Sequence, residues 1–125
     1  GMGWHYRRSY ETVLVAQKPG AACKWYDETQ KVENIIRPGK YGIRKIIPSA
    51  EQHPTEKPIE LGQLFIRLHS LPGDMVLDPF MGSGSTGVAA IREGRRFIGI
   101  EIDEFWYSCA KKRLETALLQ MRLPL

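Results

Sequence analysis

The sequence predicts an α/β fold in which a parallel sheet is flanked by helices, and two observations carry that prediction. Over residues 53–125 the apolar periodicity changes element by element in the order helix, strand, helix, strand, helix. Between the first strand and the helix after it lies a glycine-rich turn, with Gly82, Gly84 and Gly87 spaced as G-x-G-x-x-G. Such a turn bends sharply and lets a ligand lie against backbone N–H groups at a helix N-terminus. Strand, tight turn, helix, strand is a βαβ unit, so residues 53–125 read as half of a doubly wound fold with a parallel sheet.

Each element has its own signal. Tyr10 to Ala16 is a short β-branched and apolar run that ends at Lys18-Pro19-Gly20, which predicts a strand and a turn. Residues 21–52 are irregular, punctuated by Pro38-Gly39, Tyr41-Gly42 and Pro48, with short strands at most in ENII and GIRKII. Residues 1–52 are therefore a strand plus a basic, loop-rich segment. Thr55 can cap a helix with Pro58 in its first turn, and Ile59, Leu61, Leu64, Phe65 and Leu68 give that helix a broad apolar side before Pro72-Gly73 stops it. Met75 to Asp78 is the first strand, with Phe80 just beyond it. The glycine turn opens a helix through Val88, Ala89, Ala90 and Ile91 that closes at Gly94. Phe97 to Ile102 is the second strand, and Asp103 is placed to cap the last helix. Trp106, Ala110, Leu114, Ala117, Leu118 and Met121 fall on one face of that helix as its core side.

With 125 residues, 42% hydrophobic and 26% charged, the chain has the composition of one globular domain, which excludes a multi-domain enzyme. No apolar run approaches the roughly 18 residues a membrane span needs, so the expectation is a cytoplasmic protein with no membrane partner. Cys23 and Cys109 lack metal-ligand or disulfide-framework spacing and read as free thiols. The net charge is +4, and its distribution is uneven: residues 1–50 carry nine Lys and Arg against four Asp and Glu, residues 51–125 nine against ten. A basic excess of this size reads either as a solvated face or as a surface for an anionic partner.

Glu101 follows Gly82 by 19 residues, where a carboxylate at the end of the second strand can accept hydrogen bonds from both hydroxyls of a ribose. A nucleoside-containing cofactor is the expected ligand, and charge selects which one. A dinucleotide brings two phosphates to the turn, whereas S-adenosylmethionine brings a sulfonium and an ammonium cation. Asp78 at the strand tip would repel the former and attract the latter, by roughly 4 kcal/mol for unit charges about 4 Å apart at an effective dielectric near 20. The alternative role for Asp78 is a loop cap bonded to nearby N–H groups; for Glu101 it is a surface or helix-dipole carboxylate.

The decamer Asp78-Pro79-Phe80-Met81-Gly82-Ser83-Gly84-Ser85-Thr86-Gly87, preceded by His53-Pro54-Thr55-Glu56-Lys57-Pro58 and followed by Gly99-Ile100-Glu101-Ile102-Asp103, resembles the β-class DNA amino-methyltransferases, which methylate adenine N6 or cytosine N4. The three motifs stand in the family order over residues 53–113. Tyr6 to Val15 resembles, more weakly, the family strand that precedes the target-recognition region. The resemblance implies a Rossmann-like methyltransferase fold with S-adenosyl-L-methionine as cofactor. It puts Asp78, Phe80, Gly82 and Gly84 around the methionine end and Glu101 on the ribose, with Lys57 and Thr55 helping to hold the methionine carboxylate. Read without the family, Lys57 is a solvated lysine in a helix's first turn, and Asp103 is a cap rather than a ligand group. A nicotinamide-dependent oxidoreductase built on the same glycines is disfavoured by Asp78 and by the HPTEKP motif.

The family's second signature, Asp/Asn/Ser-Pro-Pro-Tyr/Phe, is absent, because the only Asp-Pro here is Asp78-Pro79 of the cofactor motif. No catalytic residue is therefore assigned, and the family order would place that motif upstream of Gly1. Positioning of the target amine supplies much of the acceleration in methyl transfer, so the expectation is a chain that binds cofactor and transfers little or nothing alone, whether as a fragment, a truncated gene or part of a split enzyme. A non-catalytic cofactor- or DNA-binding module is the alternative. Double-stranded DNA is the implied partner, with Arg7, Arg8, Lys24, Arg37, Lys40, Arg44 and Lys45 the candidates for phosphate contact. Trp25 and Tyr26 read either as base-stacking groups or as a small core contact. The strand Met75 to Asp78 would have a bare edge, which implies a homodimer or a partner chain that supplies further strands.

Overall fold

The computed structural model describes residues 10–44 and 56–123. Five elements follow in order: α1 (Ile59–His69), β1 (Met75–Asp78), α2 (Ser85–Arg92), β2 (Arg96–Gly99) and α3 (Glu104–Arg122). The two strands pair in parallel, Met75 opposite Arg96 and Asp78 opposite Gly99, as a βαβ unit requires. The partial Rossmann-like reading holds.

Strand alternation decides where the core sits. Val76 and Phe97 point to one face, where they pack with Ile66, Ala89 and Ala90. The opposite face carries Met75 (45% exposed), Leu77 (59%) and Ile98 (49%), uncovered among the described residues. Helix α2 lies on the covered face and is itself sandwiched by α1 and α3. Its close fit depends on absent side chains: a Cβ on Gly87 would come within 2.5 Å of both Leu114 and Phe97, so any larger residue there would part helix from sheet. Arg95, 8% exposed, ties α1 to the segment after α2 by donating to Ser70 Oγ at 2.9 Å, the Ser70 carbonyl at 2.6 Å and the Glu93 carbonyl at 2.5 Å. A buried guanidinium is tolerated because its donors are met.

Several expectations are corrected. Residues 10–16 form no strand: they join no sheet among the described residues, and Val13, Leu14 and Val15 are 56%, 88% and 65% exposed. β-Propensity alone does not hold a strand without a neighbour to bond it. Residues 33–36 are likewise irregular, although the turn at Pro19-Gly20 is present. The cap of α1 is Pro58, with no side-chain cap bond; Thr55 lies outside the described residues. The buried face of α1 is Leu64, Ile66 and Leu68, with Ile66 an addition and Ile59, Leu61 and Phe65 only half-buried. The second strand begins one residue early and ends at Gly99, three short of Ile102. On α3, Ala110 and Ala117 are buried, but Leu118 and Met121 stand 45% and 55% exposed. The 8-residue α2 is roughly 12 Å long and cannot cover the last turns of a helix of about 28 Å.

Segment 10–44 lies against α1. Ile43 joins Leu64 and Leu68 in a small cluster with Val32, Ile36, Tyr41 and Leu61, and the Tyr26 amide donates to the Leu68 carbonyl at 2.8 Å. Both cysteines are free. Among the described residues no helix is long and apolar enough to cross a membrane.

Candidate functional site

The parallel strands end together, and the glycine turn begins where they end. Asp78 Oδ1 accepts the Phe80 amide at 3.0 Å, the loop-cap role weighed above. The Met81 amide donates to the Ile100 carbonyl at 3.0 Å, closing the turn over the end of β2. Gly84 then adopts φ +87° as the N-cap of α2, without a side-chain cap. Left-handed backbone there favours glycine, and packing enforces it, because a Cβ would stand 3.0 Å from Ala110 Cβ and 3.2 Å from its Cα. Residues 81–84 are buried.

Glu101 is built into this turn. Its Oε2 accepts the Gly82 amide at 2.8 Å and its Oε1 the Asp103 amide at 2.9 Å. A carboxylate offers about four lone-pair positions, so both oxygens keep capacity for hydroxyl donors while the two amides fix their direction. The same bond bears on the choice of cofactor. In a dinucleotide site the glycine amides face phosphate, whereas here the Gly82 amide is already taken by an anion that would repel one. Asp103 Oδ1 accepts the Trp106 amide at 3.0 Å, which makes it the expected helix cap.

The structure thus brings together Asp78, Phe80, Gly82, Gly84 and Glu101. Phe80 and Ile102, beyond the ends of the two strands, are 88% and 97% exposed. Lys57 takes no part in these hydrogen bonds and is ion-paired with Glu11. Its neighbour Glu56 does join the turn: Arg113 Nη1 on α3 donates to Glu56 Oε1, to the Ser83 carbonyl and to Ser83 Oγ, each at 2.9 Å, and Ser85 Oγ donates to Glu56 Oε1 at 3.3 Å. Sequence reading passed over Arg113. The available signal was a charge among the apolar positions 106, 110, 114 and 117 of a helix face.

Of the basic candidates, Arg7, Arg8 and Lys45 lie outside the described residues. Lys24 pairs with Asp74 at 3.7 Å, Lys40 with Glu33 at 2.5 Å and Arg44 with Glu60 at 2.7 Å, so these cations stand beside local carboxylates, and Arg37 is exposed. The partners respond. Lys40 holds Glu33 below the ordinary carboxylate range. Glu60 is lowered first by a backbone amide and then by Arg44, and Asp74 first by the Leu71 amide and then by Lys24. Trp25 packs against His69 with ring centroids 5.5 Å apart, the contact reading for this aromatic. Among the described residues no cluster of His, Cys, Asp and Glu could hold a metal ion.

A carboxylate-lined glycine turn at the carboxyl ends of parallel strands stands where open α/β sheets bind their ligands. The family model described as DNA methylase, for N6 and N4 enzymes, matches residues 2–112, and the chain belongs to that family. The type II methyltransferase M2.DpnII of Streptococcus pneumoniae is 37% identical over 119 residues, covering 89% of this chain and 44% of that protein. M2.LlaDCHI of Lactococcus lactis subsp. cremoris is 48% identical over 118 residues, again with 44% of that protein covered. The chain thus spans less than half the length of these relatives. The crystal structure of the M1.HpyAVI–SAM complex superposes with a TM-score of 0.56 at 42% identity, covering 73% of this chain and 44% of that one.

Proposed function

We propose that this chain forms the S-adenosyl-L-methionine-binding portion of a DNA methyltransferase acting on an exocyclic amine of adenine or cytosine in double-stranded DNA. The observation that carries the reading is the pairing of Asp78 and Glu101 across one glycine turn. Glu101, fixed by two backbone amides, presents its remaining lone pairs to the ribose hydroxyls. Asp78 Oδ2 faces the ammonium and sulfonium end, where an anion stabilises a cation and discriminates against a pyrophosphate. Gly82 and Gly84 let the ligand lie against the backbone, and Phe80 and Ile102 offer apolar contact. The bound cofactor would supply the methyl group on an activated sulfonium.

This chain's own residues bind and orient; the target amine has no holder here in the form of an Asp-Pro-Pro-Tyr motif, so the isolated chain transfers little. The bare sheet face carrying Met75, Leu77 and Ile98 is assigned to the fold's further strands and helices, whichever polypeptide carries them. Support comes from the relatives, more than half of whose length lies outside the matched region. Arg37, with Lys24, Lys40 and Arg44, would approach DNA phosphates by exchanging local carboxylates for the phosphate charge.

Calorimetric titration of the full chain tests the reading. S-adenosylmethionine and its demethylated product should bind and NAD should not. Asp78→Ala should weaken both by at least about tenfold, the scale of one lost bond to a charged group. A folded chain that binds NAD, or neither methionine-bearing ligand, overturns the assignment.

A further inference from the structure

The glycine turn is held from below at three consecutive residues, and every support comes from β2's end or α3. Gly82 is bonded by Glu101, Ser83 by Arg113, and Gly84 rests on Ala110. Ala110 and Arg113 are three residues apart, so one face of α3 supplies both of the latter contacts. Arg113 alone reaches beyond the turn. Its Nη1 stands 2.9 Å from Glu56 Oε1, and Glu56 precedes Lys57 directly. The side chains of Arg113 and Glu56 are 31% and 14% exposed, so this is a partly desolvated link between two cofactor-site segments that are distant in sequence.

We propose that Arg113 is a positioning residue for the amino-acid end of the cofactor: through Ser83 it fixes the turn, and through Glu56 it fixes the segment that carries Lys57. The inference rests on the cofactor reading above and assigns it a part that touches no ligand. Its signature is selective. Glu101 holds the ribose through bonds that do not involve Arg113, so losing the guanidinium should disturb the methionine end and spare the nucleoside.

The test uses the full chain and two probes, S-adenosylhomocysteine and 5′-methylthioadenosine, which has the nucleoside without the methionine carboxylate or ammonium. Arg113→Met should weaken the first by about tenfold or more, the loss of hydrogen bonds to a charged group, and leave the second within about twofold. Arg113→Lys, which keeps a cation and rotatable donors, should recover part of the loss, and Glu56→Gln should add nothing when combined with Arg113→Met. Equal loss of both probes, or loss of neither, overturns the proposal. Hydrogen exchange reads the same link without ligand: the Gly84 amide should exchange faster in Arg113→Met than in the parent, while the Gly82 amide, held by Glu101, and the β1 and β2 amides do not change. If the parent binds neither probe, the cofactor reading falls; unchanged exchange at Gly84 then overturns the Arg113 assignment, and faster exchange there upholds its hold on the turn.

Discussion

At the scale of single residues the site is governed by how hydrogen-bond capacity is divided. Glu101 spends one oxygen on the Gly82 amide and the other on the Asp103 amide, an arrangement only a carboxylate can make, since an amide side chain has one acceptor oxygen and an NH2 group. Glu101→Gln is therefore not a silent isostere. It must turn its NH2 toward one of the two amides and lose that hydrogen bond, a loss of about 0.5–1.5 kcal/mol. The expected outcome is a lower denaturation midpoint together with weakened S-adenosylmethionine binding, measured by urea unfolding and calorimetry on the same variant. A variant that unfolds and binds like the parent would show that the two bonds do not set the carboxylate.

Elements show what the sequence discloses and what it hides. β1 is legible to the residue because signals mark both its ends, Pro72-Gly73 before and Asp78-Pro79 after. The run at residues 10–16 has equal β-propensity and forms nothing, since a strand is completed by a neighbour that propensity does not report. Arg113 was illegible for a similar reason: its partners, Ser83 and Glu56, come from two other segments, and helical periodicity only predicts that its position faces inward. Segment 10–44 is joined to the α1 side by ion pairs as well as by the Ile43 cluster. Asp74 and Glu60, which face it from the α1 side, are lowered by backbone amides and by Lys24 and Arg44, and Glu33 is lowered by Lys40 within it. A depressed carboxylate contributes stability above its ordinary range and loses it as pH falls through the folded value. Acidification below about pH 4 should then free this segment before the sheet opens. Hydrogen exchange, corrected for intrinsic rate, should show the Tyr26 amide losing protection at a higher pH than Ile98; coincident loss would mean that apolar packing of Ile43 holds the segment instead.

For the whole molecule the deciding feature is a sheet finished on one side. No large side chain among the described residues is fully buried, and a two-stranded sheet is marginal without layers to pack on it. The helices cover the Val76 and Phe97 face, while Met75, Leu77 and Ile98 offer contiguous apolar surface next to unpaired strand edges, a combination that invites association. If a partner polypeptide belongs there, the chain alone should associate weakly with itself, and charges placed on the face should stop it. Met75→Glu with Ile98→Glu, both directed away from the helices, should leave the helical circular dichroism unchanged and abolish concentration-dependent sedimentation. The same pair should also prevent capture of a separately expressed segment carrying the remaining strands of a relative such as M2.DpnII. A parent chain that sediments as a strict monomer at high concentration and captures no such segment would mean that this face is tolerated in water, and the partner assignment would fall while the cofactor turn, held from the opposite side by α3, would be untouched.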